Sequence, residues 1–301
     1  KDYENYIDAR TFKTIEELRE AATRYTIFGR VTPEQKKEII LALKAEKHTV
    51  AMTGDGVNDV LALKNADCSI SVANGSDAAR NVSQLVLMDS DFKSMPNIVD
   101  EGRRTINNIQ RSATLFLVKT IYATILAVLF VFINMPYPFI PIQLTLINLV
   151  VTGIPSVILA LEPNKERIEG KFIINVIKRA LPTALTVVTN IIIIGIISSI
   201  YNLDELNYSS VCVVVTAITG FILLFKISRP FNLSRGILFV GVVTIFTLGI
   251  SLFRDLFSIR LDASNIVPII ILGLTSIFVG VLYNFIANRI FKVIEKRLQD
   301  D

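Results

Sequence analysis

The sequence predicts a chain of mixed class: a partial α/β domain with a parallel sheet, then an all-α transmembrane domain of six helices. Three observations carry this. Charge is uneven, with 33 of the first 111 residues being Asp, Glu, Lys or Arg against 25 of the remaining 190. Short β-rich and helical runs alternate in the first part. Apolar runs of membrane-spanning length fill the second. The 301 residues are 51% hydrophobic and 19% charged, which excludes disorder, collagen and a disulfide scaffold. The expected domains are residues 1–101 and 102–301.

In chain order, residues 1–10 hold no apolar signal region and no initiator methionine, so we expect a longer protein upstream. Residues 26–28 read as a strand. Residues 33–46 have helical period, with Pro33 at the first turn where its missing N–H costs nothing. Residues 49–52 read as a buried strand, 58–65 as a helix, 69–72 as a strand, 77–83 as a helix and 85–87 as a strand. Strands recurring between helices imply parallel βαβ packing. Cys68 and Cys212 fall one in each part, so no disulfide is expected.

Six apolar stretches come next, at 112–135, 140–161, 176–201, 209–227, 236–253 and 266–290, the fifth being short. The first is expected to extend back to residue 102, as a continuous rod over 102–134 with a polar, cytosolic stalk. With the α/β domain inside, twelve Lys or Arg lie in internal loops and tail, against only Arg254 and Arg260 outside. That asymmetry puts both termini in the cytosol. It also accounts for the net charge of +4 without nucleic acid as a partner. Asn190, Asn284 and Asn288 read as interhelical hydrogen-bonding residues, and the basic residues at 289–297 as an anchor to anionic membrane lipid.

The chemistry concentrates in Thr53-Gly-Asp-Gly-Val-Asn-Asp59, directly after a strand. Carboxylates at the carboxyl end of a parallel strand sit where open α/β sheets bind ligands. One or two of them suit Mg²⁺, which keeps waters and phosphate oxygens in its remaining positions. No Walker loop is present. Earlier, Val31-Thr-Pro-Glu-Gln-Lys36 places Lys36 one turn into a helix. A cation there would neutralise phosphate oxygens.

These residues resemble the P-type ATPases, which share the haloacid-dehalogenase-like phosphotransferase fold. Met52-Thr-Gly-Asp-Gly-Val-Asn-Asp59 is similar to the family's hinge signature, Arg30-Val-Thr-Pro-Glu-Gln-Lys36 to its lysine motif, and the run from Gln143 to Pro155 to its sixth membrane helix. The resemblance implies ATP and Mg²⁺ as cofactors, with Asp55 holding the metal. It also implies Lys36 on the phosphoryl group, Asp59 orienting that lysine, and Thr53, Gly54 and Asn58 lining the phosphate site. It further implies helices five to ten of a pump. The actuator domain, the nucleotide-binding domain, helices one to four and the nucleophilic D-K-T-G-T motif are not in these residues. The fragment alone is therefore expected to be inactive.

Lys119 stands inside an apolar span, where a charge costs roughly 2.5–3.5 kcal/mol on insertion scales. It reads either as functional or as snorkelling to the interface. Thr145, Asn148 and Thr152 fall at i, i+3 and i+7 on the next span, where Gly153 and Pro155 weaken backbone bonding and free oxygens for a cation. Calcium and sodium/potassium pumps carry acids where this chain has Ala123 and Thr152. The runs Lys119-Thr120-Ile121-Tyr122 and Pro136-Tyr-Pro-Phe-Ile-Pro141 look closer to a bacterial subgroup with a mycobacterial calcium-transporting member. The resemblance therefore implies calcium moved across a plasma membrane, while the missing carboxylates argue against a full divalent site. A metal cation of another kind or a proton remains an alternative. So do a membrane-anchored phosphatase and a non-catalytic regulatory membrane protein.

Overall fold

A computed structural model describes residues 5–133 and 135–300. The residues form two compact units that divide between Val99 and Asp100.

In the first unit β1 (Tyr6–Asp8) pairs in parallel with β2 (Ile27–Gly29), and β3 (Ala51–Thr53), β4 (Cys68–Val72) and β5 (Leu85–Leu87) form a second parallel sheet in that order. Helices α1 (Ile15–Arg24), α2 (Pro33–Ala45), α3 (Val60–Asn65) and α4 (Asp77–Val82) connect them. Leu18 and Ala21 of α1, Ile40 of α2, Leu63 of α3, Ile70 of β4 and Leu87 of β5 are buried and form its core. Sequence reasoning assigns nothing before residue 26, yet β1 and α1 are there. Thr14 accepts from the Glu17 amide and Glu17 reaches back to the Lys13 amide, a capping arrangement that the S/T-x-x-E spacing encodes. The third strand begins at Ala51, two residues later than expected. The Val50 amide bonds the Asp67 side chain and its carbonyl takes the Asp67 and Cys68 amides, so ladder pairing starts only beyond it.

The second unit holds helices long and apolar enough to cross a membrane, six among the described residues. They are α5 (Met95–Phe132, belonging to this unit from Asp100 onward), the broken pair α6 (Pro141–Ile147) and α7 (Ile154–Ala160), α8 (Phe172–Tyr201), α9 (Glu205–Ile227), α10 (Leu233–Leu252) and α11 (Ala263–Asp300). The first, at 38 residues or about 57 Å, starts seven residues before the expected rod and ends at Phe132. The expected terminus at Asn134 lies outside the described residues. The fifth span is not short: Asn232 caps α10 through the Arg235 amide, so the helix starts at Leu233 and reaches 20 residues. With 72% of its apolar window buried, α9 is the central helix, and α11 with 17% is peripheral. Phe278, Val281, Leu282 and Phe285 of α11 are exposed, as a lipid-facing surface requires.

Of the three asparagines, Asn190 does bond between helices, donating to Ser276 Oγ at 2.8 Å and Thr219 Oγ1 at 3.3 Å. The other two depart from the reading. Asn284 bonds the Gly280 carbonyl of its own helix, and Asn288 is exposed.

Candidate functional site

The first unit builds its site at the carboxyl end of β3. Strand pairing ends at Thr53 opposite Ile70, and the Gly54 amide makes one more bond, to the Ile70 carbonyl at 3.0 Å. The chain then turns through Gly54, Asp55 and Gly56 into a single 3-10 turn, Val57–Asp59, that leads into α3. A Cβ at position 54 would lie 2.5 Å from Asp59 Cβ and 2.7 Å from its Cγ, so only glycine lets the aspartate fold back over the turn. Asp59 is 7% exposed. Its Oδ2 accepts from the Gly56 amide at 3.3 Å and its Oδ1 from Lys36 Nζ at 2.6 Å.

Lys36 is delivered by α2. Thr32 caps that helix through the Gln35 amide, Gln35 returns the bond to the Thr32 amide, and Pro33 sits in the first turn. These fix the entry to the helix and so the direction from which the lysine arrives. Its side chain remains 35% exposed, leaving the ammonium capacity to donate elsewhere.

Thr53, Asp55 and Asn58 are exposed, and their side chains form no hydrogen bond among the described residues. The backbone of Asp55 is held instead: its carbonyl accepts from the Ser76 amide at 2.7 Å. A Cβ at Gly75 would meet that same carbonyl at 3.0 Å, so the 73–76 turn closes against the loop. Sequence reasoning missed Gly75 and Ser76. The signal was present, since Asn74-Gly-Ser comes after a strand and Ser76 caps α4 through the Ala79 amide. Below the loop, the Lys44 ammonium and the Val50 amide hold the Asp67 carboxyl under the usual carboxylate range.

The residue set fits magnesium in a limited way. Asp55 offers an exposed carboxylate with no competing cation among the described residues, which matches a metal taking one protein ligand and filling the rest with water and phosphate oxygens. Among the described residues no group of three acidic, His or Cys side chains forms a metal cage.

In the second unit, residues Asn148–Gly153 form a π-helical turn between α6 and α7. Such a turn inserts about one residue into the helical register and rotates the helix beyond it by roughly 100°. It therefore separates residues that straight-helix spacing puts on one face. Thr152 is buried, whereas Thr145 is exposed and bonds the Pro141 carbonyl at 3.4 Å. Asn148 is half-buried, with Oδ1 enclosed and unbonded. Lys119 and Thr152 line one small cavity of about 20 Å³ together with Tyr122, Thr183 and Thr216. Thr120, on the exposed side of α5, donates to the Phe116 carbonyl. Thr183 and Thr216 were not singled out in the sequence, where isolated threonines in apolar runs carry no distinguishing pattern. The Thr216 hydroxyl is buried without a partner among the described residues, so it has bonding capacity to spare in this cavity. No carboxylate pairs with Lys119 among the described residues.

At one end of this unit lies a buried ion cluster that spacing gives no hint of. Arg235 Nε reaches both Glu162 oxygens at 2.7 Å, and Arg111 Nη1 reaches Oε2 at 3.1 Å. Asn232 donates to Oε1 at 2.9 Å, and Asn108 donates to the Glu162 carbonyl at 2.7 Å.

A parallel α/β module whose lysine and aspartate brace an acidic loop, in one chain with six membrane-capable helices, defines a multi-pass membrane protein with a phosphohydrolase-like domain. A family described as haloacid dehalogenase-like hydrolase matches residues 7–67. The chain is a relative of the P-type cation-transporting ATPases. It is 43% identical over 250 residues to a probable cation-transporting ATPase, exp7, of Streptococcus pneumoniae, covering 80% of this chain and 32% of that protein. It is 40% identical over 277 residues to the calcium-transporting ATPase CtpE of Mycobacterium tuberculosis, covering 86% of this chain and 34% of that one. A calcium-transporting ATPase of Bacillus subtilis is 36% identical over 148 residues, 49% of this chain and 17% of its own. The chain spans about a third of the length of the first two.

Proposed function

We propose that this chain is the C-terminal part of an ATP-driven pump that moves a cation, calcium by preference, across the plasma membrane through an aspartyl-phosphate cycle. The observation that carries the reading is the 2.6 Å Lys36–Asp59 pair beside the exposed carboxylate of Asp55. Asp55 would hold Mg²⁺, which when bound neutralises charge on the transferring phosphoryl group. Lys36, aimed by Asp59, would contact the phosphoryl oxygens, while Thr53, the Gly54 backbone and Asn58 would line their site. The acceptor aspartate would come from a D-K-T-G-T motif, which these 301 residues do not contain. Actuator and nucleotide-binding domains and four further helices would complete the pump. Both ends of the chain would face the cytosol, on the charge asymmetry of the loops, and the polar start of α5 would form a stalk.

Lys119, Thr120, Thr145, Asn148 and Thr152 would mark the ion pathway. Within it, the Lys119 ammonium would act as a tethered charge in place of one bound ion or pair with an acid on another helix. This explains how a chain without acids at the positions of Ala123 and Thr152 handles a cation. The preference for calcium rests on the calcium-transporting relatives.

The full-length protein in sealed vesicles, assayed for ATP turnover and cation uptake over a panel of cations, tests the reading. Calcium is expected to stimulate turnover, and Asp55→Ala to lower it by about 10²-fold or more. Turnover indifferent to every cation would instead favour the membrane-anchored phosphatase. Lys119→Ala is expected to change the ion dependence or the ions moved per ATP, measured as the uptake-to-turnover ratio. An unchanged ratio and ion profile would leave the lysine a snorkelling anchor only.

A further inference from the structure

We propose that a cavity at one end of the helical unit binds a phosphate monoester, supplied either by a membrane lipid headgroup or by a soluble metabolite. The cavity has a volume of about 260 Å³ and is lined by Arg111 of α5, Arg179 of α8, Lys226 at the end of α9, and Arg229 just beyond it. Its one carboxylate is Glu166, which is exposed. Among the described residues, Arg179, Lys226 and Arg229 have no carboxylate within ion-pair distance. Arg111 is paired, but it shares the single Glu162 with Arg235, so that cluster is itself one charge in excess.

Basic residues at the ends of membrane helices are ordinarily scattered anchors. Arg289, stacked over Phe285 at 5.2 Å in α11, is one of that kind, and Arg229 makes a similar contact with Phe225 at 4.9 Å, so stacking alone does not set the cavity apart. The four cations here differ in two respects. Three stand on separate helices and the fourth just beyond one of them, all converge on one hollow, and Arg111 is only 5% exposed. The wall is also built rather than fluctuating: Asn107 donates to the Glu166 carbonyl at 2.9 Å, and the Asn164 side chain accepts from the Glu166 amide at 3.1 Å. Mutual repulsion among four like charges is relieved by an anion of charge near −2, which a phosphate monoester carries at neutral pH. Arginine forks match phosphate oxygens in pairs. Basic hollows between membrane helices recognise lipid phosphate on the same principle.

The test is native mass spectrometry of the full-length protein and of an Arg179→Ala/Arg229→Ala variant. Each is equilibrated with phosphatidic acid, with glycerol 3-phosphate, and with phosphatidylcholine as the zwitterionic control. Both arginines are exposed, so their loss leaves the fold in place. One phosphatidic acid retained by the native protein and weakened roughly ten-fold or more in the variant, with no retention of the zwitterion, supports the site and a lipid source. The same difference for glycerol 3-phosphate alone supports the site and a soluble source. Equal retention of every probe by both proteins overturns the proposal. The measurement needs no ATP turnover, so it stands apart from the pump reading.

Discussion

Alanine at Lys36 is expected to lower phosphoryl turnover of the full-length protein by about 10²–10³-fold, the scale of removing one charged stabiliser from a transition state. The geometry gives the reason. The ammonium is restrained by Asp59 on one side, while its 35% exposure leaves its other donors directed at solvent beside the Asp55 loop. The variant also leaves Asp59 without its cation, though the Gly56 amide still bonds that carboxylate. Lys36→Arg keeps charge but not shape, because a planar guanidinium fork only partly replaces a compact ammonium on a flexible four-carbon stem. Partial recovery is therefore expected from it. Phosphorylation from inorganic phosphate, read beside the melting temperature, separates chemistry from folding. Native-like phosphorylation in Lys36→Ala would remove the lysine from the mechanism, and a collapse of the melting temperature would make its role structural.

That lysine and its loop were legible in the sequence because the information is local. Thr53 to Asp59 is one strand end and one turn, and the capping residues Thr32, Pro33 and Gln35 stand within a turn of Lys36. Apolar spans are legible for the same reason, since hydropathy accumulates along contiguous residues. What escaped is non-local or breaks a periodicity. The π turn at Asn148–Gly153 defeats any face assigned with a constant 3.6-residue period, which is why Thr145 and Thr152 part company. The Ser76 amide reaches Asp55 across 21 positions of chain, a pairing set by how β4 and the turn after it return beside β3. Strand β1, Tyr6-Ile-Asp8, ends on an aspartate and so lacks the apolar run that makes the equally short β5, Leu85-Val-Leu87, readable.

The ion cluster around Glu162 is the extreme case of non-local information, and it carries the largest expected effect on stability. Its arginines lie 51 and 73 positions away, on α5 and α10, and the glutamate sits in the turn after α7. No single residue of the three stands out in the sequence, because each is a charged residue at the edge of an apolar stretch, where charge is ordinary. In the structure all three side chains are less than 10% exposed. Glu162→Ala therefore strands two buried guanidinium groups, and a destabilisation of about 3–5 kcal/mol is expected. Lys165→Ala, which removes an exposed pair with Asp100 at 3.0 Å, is expected to change stability by less than about 1 kcal/mol. The contrast between two substitutions three residues apart isolates burial as the cause. A third variant separates specificity from strength. Replacing Arg111, Glu162 and Arg235 together by Met, Leu and Met removes the stranded charges along with the pairs, and should regain most of the loss. Thermal unfolding of the solubilised full-length protein reads all three. If Glu162→Ala melts with the native protein, the carboxylate is not what holds α5 and α10 to the turn after α7, and the hydrogen bonds of Asn108 to that turn's carbonyls must suffice.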